Sequence, residues 1–133
     1  MGLTSKKGDL GVAKIIAEVM ERGYKVALPI GEDWPFDIIV LRHGKLERVQ
    51  CKYTESNGEF VEVRCRSISD WVCYKYTSDM IDWIATYDAT SRRCYFIPAA
   101  MLGTGRAAVW LRLKPPRNNQ KKGINLADDY LAF

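Results

Sequence analysis

Asp37, Gln50 and Lys52 are the residues whose types and spacing carry chemistry in this sequence. Asp37 interrupts an otherwise apolar run, Phe36 to Leu41. A charge set among strand residues is costly unless it is paired or binds a metal. Gln50 and Lys52 flank Cys51, so on an extended strand they project from one face while Val49, Cys51 and Tyr53 project from the other. A tight turn at His43-Gly44 would fold the two runs together and bring the acid, the amide and the ammonium into one place. That set suits phosphodiester hydrolysis. Mg²⁺ takes hard oxygen ligands and keeps several waters. Asp37 is the expected carboxylate ligand, Gln50 the neutral side-chain oxygen and the Cys51 carbonyl a third donor, with Mn²⁺ an expected substitute for Mg²⁺. Lys52 would stabilise developing negative charge or orient the attacking water. The spacing alone is loose: the same residues also read as Asp37 opening a turn and Gln50 and Lys52 lying on a solvated face.

The elements that must position these residues follow from periodicity and turn chemistry. A helix is expected from about Lys6 to Arg22, capped by Thr4 or Ser5, with Leu10, Ala13, Ile16, Ala17 and Met20 as its apolar stripe. Lys14–Glu18 and Glu18–Arg22 are spaced as surface ion pairs, and Gly23 is placed to end the helix. Strands are expected over Tyr24 to Ile30, Phe36 to Leu41 and Leu46 to Tyr53, the last two forming a hairpin. Phe60 to Arg66 alternates apolar and charged residues, as a strand with one wet face does. Trp83 to Tyr87 and Cys94 to Ile97 read as a second hairpin turning at about Ala89 to Arg92, and Val109 to Leu113 as a last short strand. Ser69 to Asp82 is aromatic and ambiguous, and the tail from Ile124 has room for a short helix. The pattern is α/β: a mixed β-sheet with a packed N-terminal helix, expected to form one domain over residues 1–133.

Charge is uneven along the chain. Net charge is +4, yet from Ala89 to Ala127 there is no acid, while Arg92, Arg93, Arg106, Arg112, Lys114, Arg117, Lys121 and Lys122 all fall there. That asymmetry suits a polyanion, because each cation set on a phosphate releases condensed counterions. Arg64 and Arg66 follow the chemistry-bearing hairpin and are placed to meet phosphates beside it. The loop Arg117-Asn118-Asn119-Gln120-Lys121-Lys122 mixes amides that read base edges with cations that hold phosphates. A solvated basic surface is the plain alternative for each. Trp71, Tyr74, Tyr76 and Trp83 read as core or dimer interface rather than as a stacking surface for bases, and His43 as a solvated turn residue.

With 47% apolar residues the chain is not disordered. No apolar run approaches the roughly 20 residues of a membrane span, and no signal peptide is evident, so an intracellular, cytoplasmic protein is expected. Cys51, Cys65, Cys73 and Cys94 form no C-x-x-C pair and have one histidine among them, which argues against structural zinc and for buried free thiols.

The run Pro35-Phe36-Asp37 followed by Gln50-Cys51-Lys52 resembles the P-D…(D/E)-x-K signature of the PD-(D/E)XK, restriction-endonuclease-like nuclease superfamily. Lys6-Lys7-Gly8-Asp9, Arg22-Gly23-Tyr24, Val49 to Tyr53 and Pro115 to Gly123 are similar to a small branch of it associated with group I introns. The resemblance spans about Thr4 to Tyr130. It implies a metal-dependent endonuclease of homing type acting on double-stranded DNA as a homodimer or homotetramer, with Lys6 and Lys7 among its DNA contacts. Two departures stand out. The usual second acid is Gln50, as in that branch. The helical acid of many relatives aligns with Val12, which leaves Asp9, one turn earlier, as the substitute; Glu18 fits the surface pairs better. Two other readings stay open: a structure-selective nuclease like a Holliday-junction resolvase, and a DNA-binding module without catalysis.

Overall fold

The computed structural model describes residues 3–69, 71–116, 118 and 123–133. One helix, α1 (Leu3–Glu21), precedes the strands β1 (Lys25–Ala27), β2 (Ile38–Arg42), β3 (Lys45–Thr54), β4 (Phe60–Arg64), β5 (Arg66–Ser69), β6 (Val72–Lys75), β7 (Trp83–Asp88), β8 (Arg93–Pro98) and β9 (Ala108–Arg112). Short 3-10 turns cover Ala99–Leu102 and Ala127–Tyr130. The main sheet has the order β1-β2-β3-β7-β8. β3 and β7 run parallel and their neighbours pair antiparallel, so the sheet is mixed. β4–β9 and β5–β6 form two small antiparallel pairs beside it. No described helix is long and apolar enough to cross a membrane.

α1 starts at Leu3, earlier than expected, so Ser5 falls within its first turn. The expected stripe is also off by one position around the helix. Leu10 and Met20 are 44% and 59% exposed, and Ala13 and Ala17 face solvent. The inward residues are Gly11, Ile15 and Val19, spaced i, i+4, i+8, with Val12 and Ile16 flanking them. Gly11 decides the choice. A Cβ there would lie 3.2 Å from both the Lys52 carbonyl oxygen and Tyr53 Cβ, so glycine lets α1 approach β3 closely. At the other end Gly23 adopts φ +91°, its N–H bonding Met20 O while Tyr24 N–H bonds Val19 O, which closes the helix. Glu18 pairs with Arg22 at 3.7 Å, as the spacing predicts.

The hairpin forms as expected. His43 (φ +50°) and Gly44 (φ +74°) are both left-handed, which matches a two-residue turn to the strand twist. β2 nevertheless begins at Ile38, so Asp37 stands just before it and not within it. The run Phe60 to Arg66 is two strands rather than one. At Cys65 the chain changes partners, its N–H going to Ala107 O and its C=O receiving Tyr76 N–H, both at 2.9 Å. The ambiguous segment supplies β6 and completes a hairpin whose turn residue Trp71 is 100% exposed at φ +66°. β1 is confined to Lys25–Ala27, shorter than predicted.

Alternation splits the core. Val49, Cys51, Ala85, Tyr87, Cys94 and Phe96 face α1 with Ile15 and Val19. Ile84, Tyr95 and Ile97 face the other way, against Val61, Val63, Cys65, Tyr76, Val109 and Leu111. Cys51, Cys65 and Cys94 are buried free thiols, but Cys73 is exposed on β6, against expectation, because the β5–β6 pair packs neither face fully.

Candidate active site

The end of β2 shapes the site. Register pairs Ile38 with Val49, and odd-numbered residues of β3 turn their peptide groups toward β2. The next such residue, Cys51, lies beyond the last ladder pair. Its N–H is taken by the Asp37 carboxylate instead, with Cys51 N to Asp37 Oδ2 at 2.9 Å, while Asp37 N–H donates to Val49 O at 3.0 Å. The carbonyl of Cys51 lies on the same edge of β3. The even-numbered side chains, Gln50 and Lys52, project from the face away from α1, as the period of two requires.

A groove of about 450 Å³ opens here between the first turns of α1, the end of β2 and the β5–β6 hairpin. Asp37, Gln50, Cys51 and Lys52 line it, and α1 adds Asp9 and Val12 to its wall. Both helical positions weighed from the sequence thus face the same space. Burial raises the Asp37 carboxyl above its ordinary pKa, opposed by the Cys51 N–H and the nearby Lys52 charge. Burial lowers the Lys52 ammonium in turn, opposed chiefly by Asp37. Lys52 Nζ donates to Arg66 O at 3.2 Å. Gln50 is buried, and its Nε2 donates to Pro35 O at 3.1 Å and to Tyr76 Oη at 2.9 Å.

The donors fit a hard divalent cation. Asp37 is a carboxylate whose burial is only partly offset by the groups around it, so a cation would stabilise its charged form. Beside it stand an amide oxygen and a strand carbonyl, both hard oxygens. The Cys51 thiol is no competitor: burial first, and Asp37 second, push it well above the usual thiol range, and it faces α1. Among the described residues there is no cluster of three or more His, Cys, Asp or Glu side chains, so the set is mixed rather than polyacidic.

The remaining candidates are dispersed. Lys6 is exposed on α1. Lys7 reaches Glu55 at 2.7 Å, and that partner raises its pKa. Arg64 is solvent-exposed with Glu62 at 3.8 Å, and exposed Arg66 holds Lys52 through its carbonyl. Asn118 lines a second groove with Glu59, Arg112, Lys114, Pro115, Pro116 and Ile124. Arg117, Asn119, Gln120, Lys121 and Lys122 lie outside the described residues. Ser67, Tyr74 and Tyr76 also line this groove; the sequence offered no signal for Ser67, and the two tyrosines read there as core or dimer interface. His43 is a turn residue, edge-on to Tyr24.

Known proteins resemble the chain at the level of family and fold. The chain matches the family model described as PD-(D/E)XK endonuclease over residues 3–133. The solved structure of the bacterial homing endonuclease I-Ssp6803I superposes with a TM-score of 0.72 at 20% identity, covering 97% of this chain and 88% of that one. At that identity the likeness shows the fold, which is restriction-endonuclease-like α/β. None of the curated proteins is significantly similar in sequence. The chain, matched along nearly its whole length, belongs to the PD-(D/E)XK endonuclease family.

Proposed function

We propose that residues 1–133 act as one nuclease domain, a metal-dependent endonuclease of homing type that hydrolyses double-stranded DNA. The observation that carries this reading is the shared groove of Asp37, Gln50, Cys51, Lys52 and Asp9, framed by α1 and the β2–β3 hairpin. Asp37, the Gln50 side-chain oxygen and the Cys51 carbonyl would hold Mg²⁺, or Mn²⁺ in its place, and Asp9 is the acid closest at hand on the helix. A bound cation would polarise the scissile phosphate and acidify a water. Lys52 presents its ammonium to the same phosphate and stabilises the charge that builds on it. Its partial burial strengthens that interaction, because fewer waters screen it. Lys6, Arg64, Arg66 and the basic segment from Arg112 to Lys122 supply phosphate contacts.

One groove cuts one strand. Two copies related by a two-fold axis, as a homodimer or within a homotetramer, place two grooves on the two strands of a duplex. The named relative, a bacterial homing endonuclease, favours site-specific cutting over junction resolution. Such an enzyme would work on DNA in the cytoplasm. Cleavage of a randomised duplex library in Mg²⁺, with four-way junctions as competitors, tests the substrate. Discrete duplex products support the homing reading, and exclusive junction cutting replaces it with a resolvase.

A further inference from the structure

Tyr76 touches both polar residues that β3 sends into the groove. Its hydroxyl accepts from Gln50 Nε2 at 2.9 Å, and its ring lies 5.2 Å from Lys52 Nζ. The side chain is only 3% exposed and packs with Val61, Val63, Cys65 and Ile84. Its backbone N–H is pinned to Cys65 O, so the phenol has a fixed origin. The other Gln50 amide donation goes to Pro35 O at 3.1 Å. A peptide carbonyl accepts and never donates. The Gln50 amide is therefore clamped at its nitrogen end, and one orientation remains for its oxygen. An ionised carboxylate at position 50 would instead set an anionic oxygen against the Pro35 carbonyl.

We propose that Tyr76 is a positioning residue that acts through Gln50. Its hydroxyl, with Pro35 O, presents the amide oxygen as a neutral cation ligand and makes the pocket selective for glutamine over glutamate. This rests on the metal-centre reading given under the proposed function. Groups that orient metal ligands commonly change metal affinity by roughly 10-fold to 100-fold. Tyr76→Phe keeps the ring beneath Lys52 and removes only the hydroxyl.

The test is a Mn²⁺ titration of the protein without DNA, followed by the free-ion electron paramagnetic resonance signal. It takes the wild type, Asp37→Ala, Tyr76→Phe, Gln50→Ala, Gln50→Glu and the Tyr76→Phe/Gln50→Ala double variant, with thermal unfolding of each. Tyr76→Phe is expected to weaken Mn²⁺ binding roughly tenfold, and to add nothing further in the Gln50→Ala background. Gln50→Glu is expected to bind Mn²⁺ no more tightly than the wild type despite its added charge. Wild-type binding that Tyr76→Phe leaves intact, or weakens equally in both backgrounds, overturns the positioning role alone. Tighter binding by Gln50→Glu overturns the selectivity. A wild type that binds no Mn²⁺, or binds it equally after Asp37→Ala, overturns the metal centre and this inference with it.

Discussion

The carboxylate of Asp37 accepts the backbone N–H of Cys51 at 2.9 Å, where the β2–β3 ladder has run out of backbone partners. A side chain thus completes the edge of a strand and, in doing so, is held at the mouth of a groove. The same bond fixes Asp37 relative to Gln50 and Lys52, which neighbour Cys51 in the chain.

Holding a carboxylate there costs stability. Burial raises the Asp37 pKa above 3.8 in the folded chain. Between 3.8 and that raised value the folded state binds more protons than the unfolded one, so this contribution to stability falls as pH rises through the window. Above it, the folded chain carries the full cost of the charge. Asp37→Asn keeps an oxygen for the Cys51 N–H and removes the charge. Thermal unfolding at pH 7 should show a higher Tm for Asp37→Asn, with the gap closing toward pH 3. Cleavage should fall by about 10²-fold or more. Equal melting curves at both pH values would contradict the burial account of Asp37.

Gly11 sets the distance between α1 and β3, and with it the reach of Asp9 into the groove. Alanine would press on the Lys52 carbonyl, and valine would force the helix off. Gly11→Val should destabilise the fold by about 1 to 3 kcal/mol in urea denaturation. Gly8→Ala, with nothing within 4 Å of the added carbon, is the control and should be neutral or stabilising. The same loss in both would remove the close approach as the cause.

Arg48 and Asp82 tie β3 to the segment entering β7. Arg48 Nε and its backbone N–H reach Asp82 Oδ2 at 3.1 and 2.8 Å, and the guanidinium also reaches Ser78 O and Asp79 O. The Arg48 side chain lowers the Asp82 pKa below 3.8. The stabilisation is therefore present above pH 3.8 and fades as pH falls through the lower folded value. Asp82→Asn should lose about 1 kcal/mol at pH 7, and the difference from wild type should shrink in strong acid. A difference that stays constant with pH would show that the charge is not what Arg48 reads.

Much of the site was legible in the sequence because it is local. His43-Gly44 dictates the turn, the turn dictates the register, and the period of two puts Gln50 and Lys52 on one face. The mixed sheet and its N-terminal helix followed from the same patterns. Other features were not local. Apolar residues cover more than one stripe of α1, and Gly11 selects the inward one only through β3. Alternation runs unbroken from Val61 through Arg66, so nothing in it marks the change of partners at Cys65. Tyr76 meets Gln50 across 26 positions of chain, with no motif to join them.

Arg64 and Arg66 lie exposed after the groove-lining hairpin. If each meets a phosphate, Arg64→Ala and Arg66→Ala should each reduce the slope of log Kd against log salt by about 1. Fluorescence anisotropy on duplex DNA across a salt series reads this directly. Slopes equal to the wild type would place both side chains off the DNA path.

The most direct measurement is cleavage of duplex DNA in Mg²⁺ by the wild type, Asp37→Ala and Lys52→Ala, with DNA binding followed in parallel. The groove geometry predicts metal-dependent cutting by the wild type, abolished in both variants while binding persists. Cutting that survives either substitution, or binding without cutting by the wild type in Mg²⁺ and Mn²⁺, would contradict the proposed catalytic centre.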